Sequence, residues 1–349
     1  TVARQAIRLM DRCFMARSLA ATFPWRNRRI VVAAEAATVG RMAWKVLISA
    51  PAIHDSGEAA RALLTEAGCE LAIDTEGHPH SAEQMRRMLL GCDAVFAGLD
   101  HFPAEVLESD EAASLKIISR RGVGYDRVDI AAATKAGIAV GFTPGVLDGA
   151  VGDYTWALLL SLARGVHLGH DATQAGNWNL SWGPDVHGKT LGIVGCGRIG
   201  RTVAQRARGF EMNVLGYDVV PNAEAEKLGV QFVELDALLQ RSDFVSVNCA
   251  LTPETTGLIN ADRLALMKPT ALLINTARGA IVDESALAAA LRDGRIGGAA
   301  LDAFCTEPLP AEHEFRSCPN LLMTPHQAPC GIETGQRLSL ATARNIAEL

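Results

Sequence analysis

From Trp44 onward, short apolar runs alternate with stretches whose apolar residues recur at helical spacing. Lys45–Ser49, Leu71–Ile73, Ala94–Phe96 and Leu115–Ser119 read as strands; Gly57–Ala67, Met85–Leu90 and Val128–Ala136 read as helices. Such alternation forces parallel strands, because each crossover helix carries the chain back to the same sheet end. The strands lack polar alternation, so the sheet is buried on both faces. A second series begins at Thr190, with strands expected over Thr190–Gly195, Asn213–Asp218, Phe244–Asn248, Ala271–Asn275 and Gly297–Asp302. Helices are expected over Ile199–Phe210, Leu235–Arg241, Ala261–Met267 and Glu284–Arg292. Between the two series, Gly149–Val166 reads as an apolar helix, either a core helix or a subunit-interface helix. The fold class is α/β, with two doubly wound units. The 349 residues suit two domains, at about 150 residues each.

Gly195-Cys-Gly197-Arg-Ile-Gly200 follows one of these strands and opens a helix with apolar Ile199, Val203, Ala207 and Phe210 on one face. Gly195 allows the tight turn, Gly197 lets the backbone approach a pyrophosphate, and Gly200 lets helix and strand pack closely. The helix N-terminus offers unpaired N–H groups to the phosphates. Asp218 ends the next strand, where an acid accepts hydrogen bonds from a ribose and repels a 2′-phosphate. No Arg stands among Val219, Val220 and Pro221 to bind one, so NAD is expected rather than NADP.

Hydride transfer to a carbonyl also needs a cation for the substrate carboxylate and an acid for the developing alkoxide. Arg278, in Asn275-Thr-Ala-Arg278-Gly279, lies just beyond a strand's carboxyl end and suits a bidentate grip on a carboxylate. Glu307, in Asp302-Ala-Phe-Cys-Thr-Glu307-Pro308, and His326, in Thr324-Pro-His326-Gln327, would form a tuned acid/base pair if they meet. Spacing alone does not bring them together. The other eight histidines read as structural or exposed.

Six elements then occur in a recognisable order: Arg121-Gly-Val-Gly124-Tyr-Asp126-Arg-Val-Asp129, Phe142-Thr-Pro-Gly145, Gly195–Gly200, Asn275–Gly279, Asp302–Pro308 and Thr324-Pro-His326. In them the chain resembles the D-isomer-specific 2-hydroxyacid dehydrogenases, in the phosphoglycerate and hydroxypyruvate–glyoxylate reductase branch. The resemblance implies a flavodoxin-like substrate domain built from both chain ends, 43–145 and 326–349, with a Rossmann NAD-binding domain, 146–325, inserted between them. Residues 1–42 would lie outside this fold. It implies that Arg278, Glu307 and His326 are catalytic, and that Arg120, Val123, Gly124 and Arg278 hold the substrate, Val123 and Gly124 through their backbone N–H groups. NAD would rest on Gly195, Gly197, Arg198, Ile199, Gly200, Asp218, Asn248, Ala250, Thr276 and Asp302, with Asp302 on the nicotinamide carboxamide. No metal is implied. A homodimer is implied, with Tyr154–Ala163 as an interface helix. Phe142, Gly152-Asp153, Asn248-Cys-Ala250, Gln327 and Pro329-Cys330 depart from the usual family pattern. Phe142 and Gln327 bear on substrate identity more than on chemistry.

The expected reaction interconverts a D-2-hydroxy acid and its 2-keto acid. Arg120 at the phosphate-contact position of phosphoglycerate enzymes, or Arg120-Arg121 as a solvated pair, leaves hydroxypyruvate, glyoxylate and phosphoglycerate open. Two alternatives remain: an NADH-sensing, corepressor-like binding protein, and a phosphite-type dehydrogenase. Glu307 speaks against formate enzymes, which carry Gln there. Net charge of −6 argues against nucleic-acid binding. Apolar runs such as Trp156–Leu160 fall far short of the ~18 residues a membrane span needs. Eight scattered cysteines without a Cys-x-x-Cys pair suit a reducing cytoplasm. Residues 1–42 hold eight Arg, no Lys and two acids, Asp11 and Glu35, a composition shared by organelle transit peptides and by segments with no structural role.

Overall fold

The computed structural model describes residues 43–75 and 80–349, so the arginine-rich segment 1–42 lies outside the described residues. Five short strands form the first sheet: β1 (Lys45–Ile48), β2 (Glu70–Ile73), β3 (Ala94–Ala97), β4 (Ile117–Arg120) and β5 (Ala139–Gly141). They run parallel in the order β2-β1-β3-β4-β5. Seven strands form the second: β6 (Thr190–Val194), β7 (Asn213–Tyr217), β8 (Val230–Phe232), β9 (Phe244–Val247), β10 (Leu272–Asn275), β11 (Gly298–Leu301) and β12 (Leu321–Met323). Their order, β12-β11-β10-β9-β6-β7-β8, is also wholly parallel. Central strands β3, β9, β10 and β11 are buried along their whole length, as their unbroken apolar character requires.

Both sheets reverse direction beside their first strand. β1 lies between β2 and β3, and β6 between β7 and β9. At such a switch point the loops leaving the carboxyl ends diverge and open a crevice.

Helices cover the sheets. We label four of them α1 (Glu58–Glu66), α2 (Asp148–Arg164), α3 (Arg198–Ala207) and α4 (Ile332–Ala347). Asp148 to Arg164 is one helix because no breaker interrupts its apolar run; it stops where Gly165 turns left-handed at φ 58°. Its Trp156, Leu158, Leu159 and Ala163 are buried in the core beside the seven-stranded sheet. The stretch Tyr154–Ala163 is therefore mostly core within this chain.

The C-terminal helix α4 returns to the first sheet. It packs on α1, β3 and β4, and its Ala343 and Ile346 share an apolar cluster with Val46, Ile48 and Phe96. Arg121 fastens it, donating to Ser339 Oγ at 3.1 Å and to the Gly335 carbonyl at 3.2 Å. The described residues therefore begin and end on the five-stranded layer, with the seven-stranded one inserted. Gly152-Asp153 has a local cause: a Cβ at Gly152 would lie 2.5 Å from Thr202 Oγ1, and Asp153 accepts from Arg206 Nε at 2.7 Å.

Candidate active site

The Gly195–Gly200 loop sits at the switch point of the larger sheet. Gly195 has φ 92°, and a Cβ there would lie 2.5 Å from the Cys249 amide nitrogen, so only glycine fits between the β6 and β9 loops. A Cβ at Gly200 would lie 2.1 Å from the Gly195 carbonyl oxygen. A Cβ at Gly197 meets nothing, leaving an exposed cradle beside the N-terminus of α3. No side chain caps that N-terminus, so its N–H groups remain for phosphate.

Asp218 accepts from the Cys196 amide at 2.7 Å, and Asn222 donates to the Cys196 carbonyl at 3.0 Å. Together they brace the loop from the β7 side. Burial, and then Asp218, push the Cys196 thiol up to about 12, keeping it neutral there. Asn248 follows β9; it donates to Ser246, but its Oδ1 is buried without a hydrogen-bond partner. That orphan acceptor and the open glycine cradle fit a dinucleotide. Around them, Arg198 is exposed at the head of α3, and Ile199 packs against a small cluster with Leu147, Val151 and Ala328. Ala250 is exposed and its carbonyl accepts from Thr255 Oγ1. Thr276 meets Thr155, hydroxyl to hydroxyl at 2.9 Å.

The structure brings Glu307 and His326 together. His326 Nδ1 lies 2.9 Å from both carboxylate oxygens. An imidazole nitrogen facing a carboxylate carries the proton, so Nδ1–H donates and Nε2 is left for a substrate. His326 stands in left-handed backbone, φ 52°, a costly geometry for a residue with a Cβ. Asp302 holds the turn that imposes it, accepting from Thr324 Oγ1 at 2.6 Å, Gln327 N at 2.9 Å and Ala328 N at 2.8 Å. Burial raises the Asp302 carboxyl against these bonds. Asp302 thus shapes the His326 turn, in addition to any contact with a carboxamide. Burial alone would also raise Glu307, but the His326 bond and charge, the Phe304 N–H and Arg127 outweigh it and hold its carboxyl below the usual range.

Arg278 follows β10. Buried Asn275 makes the turn that projects it, donating to the Arg278 carbonyl at 2.9 Å and accepting from the Ala277 amide at 3.0 Å. Arg278 Nε then donates to both oxygens of Asp126, at 3.0 and 3.1 Å. Its other edge lies on Gly124, where a Cβ would meet the guanidinium at 1.6 Å. Among the described residues, the amides of Val123 and Gly124 find no acceptor. Two amides without an acceptor and a guanidinium therefore lie together at Gly124, a donor set that suits a carboxylate.

Two neighbours escape the sequence reading. Asp126 holds Arg278, and Arg127 donates to Glu307 Oε2 at 2.7 Å. Because residues 126 and 127 are adjacent, Arg278 and the Glu307–His326 pair meet the same stretch of the first sheet's loops. His101 stands there too: burial, and then Arg127, hold its imidazole below the ordinary range. Arg120 turns inward, with its NH1 on the Arg121 carbonyl at 2.8 Å and its Nε buried without a partner. Burial, then Arg278 and Arg127, lower Arg120 to about 10. Neither Arg120 nor Arg121 is a solvated surface residue. Phe142 lies against Tyr125, ring centroids 5.4 Å apart, and Gln327 donates to the Tyr154 hydroxyl. Among the described residues no cluster of His, Cys, Asp and Glu suits a metal ion.

Known proteins resemble this chain in sequence and in fold. A family model described as D-isomer specific 2-hydroxyacid dehydrogenase, NAD binding domain, matches residues 156–328. The chain is 42% identical to a glyoxylate reductase of Thermofilum pendens over 288 residues, covering 80% of this chain and 84% of that one. It superposes on the crystal structure of a glyoxylate reductase from Paecilomyes thermophila with a TM-score of 0.76 at 32% identity, covering 87% of this chain and 94% of that one. Apo D-lactate dehydrogenase from Escherichia coli gives a TM-score of 0.75 at 29% identity, covering 87% and 96%.

Proposed function

Because the chain belongs to the D-isomer-specific 2-hydroxyacid dehydrogenase family, we propose that Arg278, Glu307 and His326 carry its chemistry on a small, unphosphorylated 2-keto acid such as glyoxylate or hydroxypyruvate. The enzyme is an NAD(H)-dependent oxidoreductase that interconverts a D-2-hydroxy acid and its 2-keto acid. The observation that carries the residue assignment is the Nδ1–carboxylate pair, which leaves Nε2 of His326 as the one ring nitrogen able to serve the substrate.

Bound NADH supplies the hydride. The protein orients and protonates. The amides of Val123 and Gly124 and the Arg278 guanidinium take the substrate carboxylate, and Arg278 also polarises the carbonyl. His326 gives a proton from Nε2 to the developing alkoxide, while Glu307 stabilises the imidazolium that holds it. In the oxidative direction the same nitrogen takes the proton back. Gly195, Gly197, Arg198, Ile199 and Gly200 would hold the pyrophosphate and Asp218 the adenosine ribose. Asn248, Ala250, Thr276 and Asp302 would flank the nicotinamide side. Arg120 lies beneath the carboxylate loop and adds positive potential rather than a direct contact, which favours substrates without a phosphate. On this reading 43–145 with 326–349 form the substrate domain and 146–325 the cofactor domain.

A keto-acid panel tests the substrate class. NADH consumption with glyoxylate or hydroxypyruvate is expected to exceed that with phosphohydroxypyruvate by at least tenfold or so in kcat/KM. Tight NADH binding with no turnover on any member would sink the proposal in favour of a sensing role.

Among the described residues no helix is long and apolar enough to cross a membrane. The reading also includes a cytoplasmic homodimer. Val166, Leu168, Trp178, Leu180 and Trp182 expose large apolar surface just after α2, Trp182 to 92%. Exposed apolar surface of this size marks an interface, and we assign these residues rather than Tyr154–Ala163 as the contact with a second copy. Light scattering is expected to return twice the chain mass, and Trp178→Ser with Trp182→Ser to return the chain mass itself. An unaltered dimer in that variant would displace the contact elsewhere.

A further inference from the structure

Arg127 is held at two points before it reaches Glu307. Its NH1 donates to the Leu99 carbonyl at 2.7 Å, and its own carbonyl accepts from Phe102 N at 2.8 Å. The loop supplying both is itself fixed: Asp100 accepts from Gly98 N at 3.1 Å and from Ser49 Oγ at 2.5 Å, and faces His80 Nδ1 at 3.0 Å. The remaining prong, NH2, meets Glu307 Oε2 at 2.7 Å, with side chains only 15% and 11% exposed. Glu307 and His326 follow β11 and β12 of the seven-stranded sheet, whereas Arg127 and its loop belong to the five-stranded one.

We propose that Arg127 is a positioning residue for the reaction, clamping the Glu307 carboxylate against His326 from across the cleft, so that the acid/base pair takes its working geometry only when the two layers are docked. The inference rests on the assignment of Glu307 and His326 above. Without Arg127, Glu307 would be held only by the ring and by the Phe304 amide, which donates to Oε1 at 3.0 Å. Both of these belong to the same layer. The guanidinium fixes the second oxygen, and with it the plane of the carboxylate, from outside that layer.

The groups facing Glu307 are His326 and Arg127 in direct contact, with His101 and Cys305 also within its field. Arg127 is one of the influences that keep its carboxyl low. Removing that cation raises the folded-state value, so the carboxylate, and activity with it, is lost at a higher pH as pH falls.

The test compares Arg127→Met and Arg127→Lys in the full chain, with NADH affinity and melting temperature measured in parallel. Arg127→Met is expected to lower kcat by on the order of 10- to 100-fold, leave NADH affinity unchanged and move the acid limb of the kcat/KM profile to higher pH. Arg127→Lys restores the acid limb but only part of kcat, because one ammonium cannot also grip the Leu99 carbonyl as the guanidinium fork does. A Met variant with wild-type kcat and acid limb overturns the proposal. So does a kcat loss matched by equal loss of NADH affinity and thermal stability. His326→Asn in the same series separates the two claims: if it also turns over normally, the acid/base assignment fails and takes this inference with it.

Discussion

Replacing His326 by Asn is expected to slow keto-acid reduction by roughly 1,000-fold while leaving NADH binding intact. Among the described residues, the ring supplies the only proton donor in charge-assisted contact with Glu307 that is left open on its other nitrogen. Asn suits the test better than Ala because residue 326 has φ 52°, a region Asn occupies more readily than other non-glycine residues. The Asp302 bonds to Gln327 N and Ala328 N involve only backbone there, so the turn survives the change. Steady-state rates and an NADH fluorescence titration separate chemistry from binding. Near-normal turnover with normal binding would remove His326 from its role.

The second large effect belongs to Gly124→Ala. The added methyl would sit 1.6 Å from the Arg278 guanidinium and 2.8 Å from Asp126 Oδ1. The guanidinium is the end of a flexible side chain, so it moves and the backbone stays. The fold should therefore keep its melting temperature while kcat/KM falls on the order of 100-fold, since Arg278 leaves the carboxylate site. A double-mutant cycle checks the cause: adding Gly124→Ala to Arg278→Ala should cost almost nothing more. Additive losses would mean that the methyl blocks the substrate itself.

Legibility from sequence followed burial. Central strands announced themselves as unbroken apolar runs, because both faces of each are covered. The three strands that escaped notice, β5, β8 and β12, are three-residue edge strands, none buried along its whole length. The helix α4 escaped because its buried face is built largely from Thr334, Gly335, Ser339, Thr342 and Ala343, small or hydroxylated residues that leave little apolar period to read. Arg278 and Glu307 stood out because each follows the carboxyl end of an expected strand, and His326 through the Thr324-Pro-His326 motif. Their partners did not. Asp126 lies 152 residues from Arg278 and Arg127 lies 180 from Glu307, and no local pattern encodes such pairing. The Nδ1–carboxylate contact likewise needs the fold to exist before it can be seen. Sequence left Arg120 open between a substrate-phosphate contact and, with Arg121, a solvated pair; both are turned inward, Arg120 beneath Gly122 and Arg121 against α4.

Since the polypeptide leaves the smaller sheet after β5 and comes back after β12, the two halves are tied by two tethers rather than one. A single tether would permit swivelling about three axes. A pair placed side by side permits rotation about the line joining them and little else. Any opening between them would thereby be reduced to one degree of freedom, and each closure would return Asp126 and Arg127 to the same counterparts without a search. Stiffening either tether should slow the swing without altering where it ends.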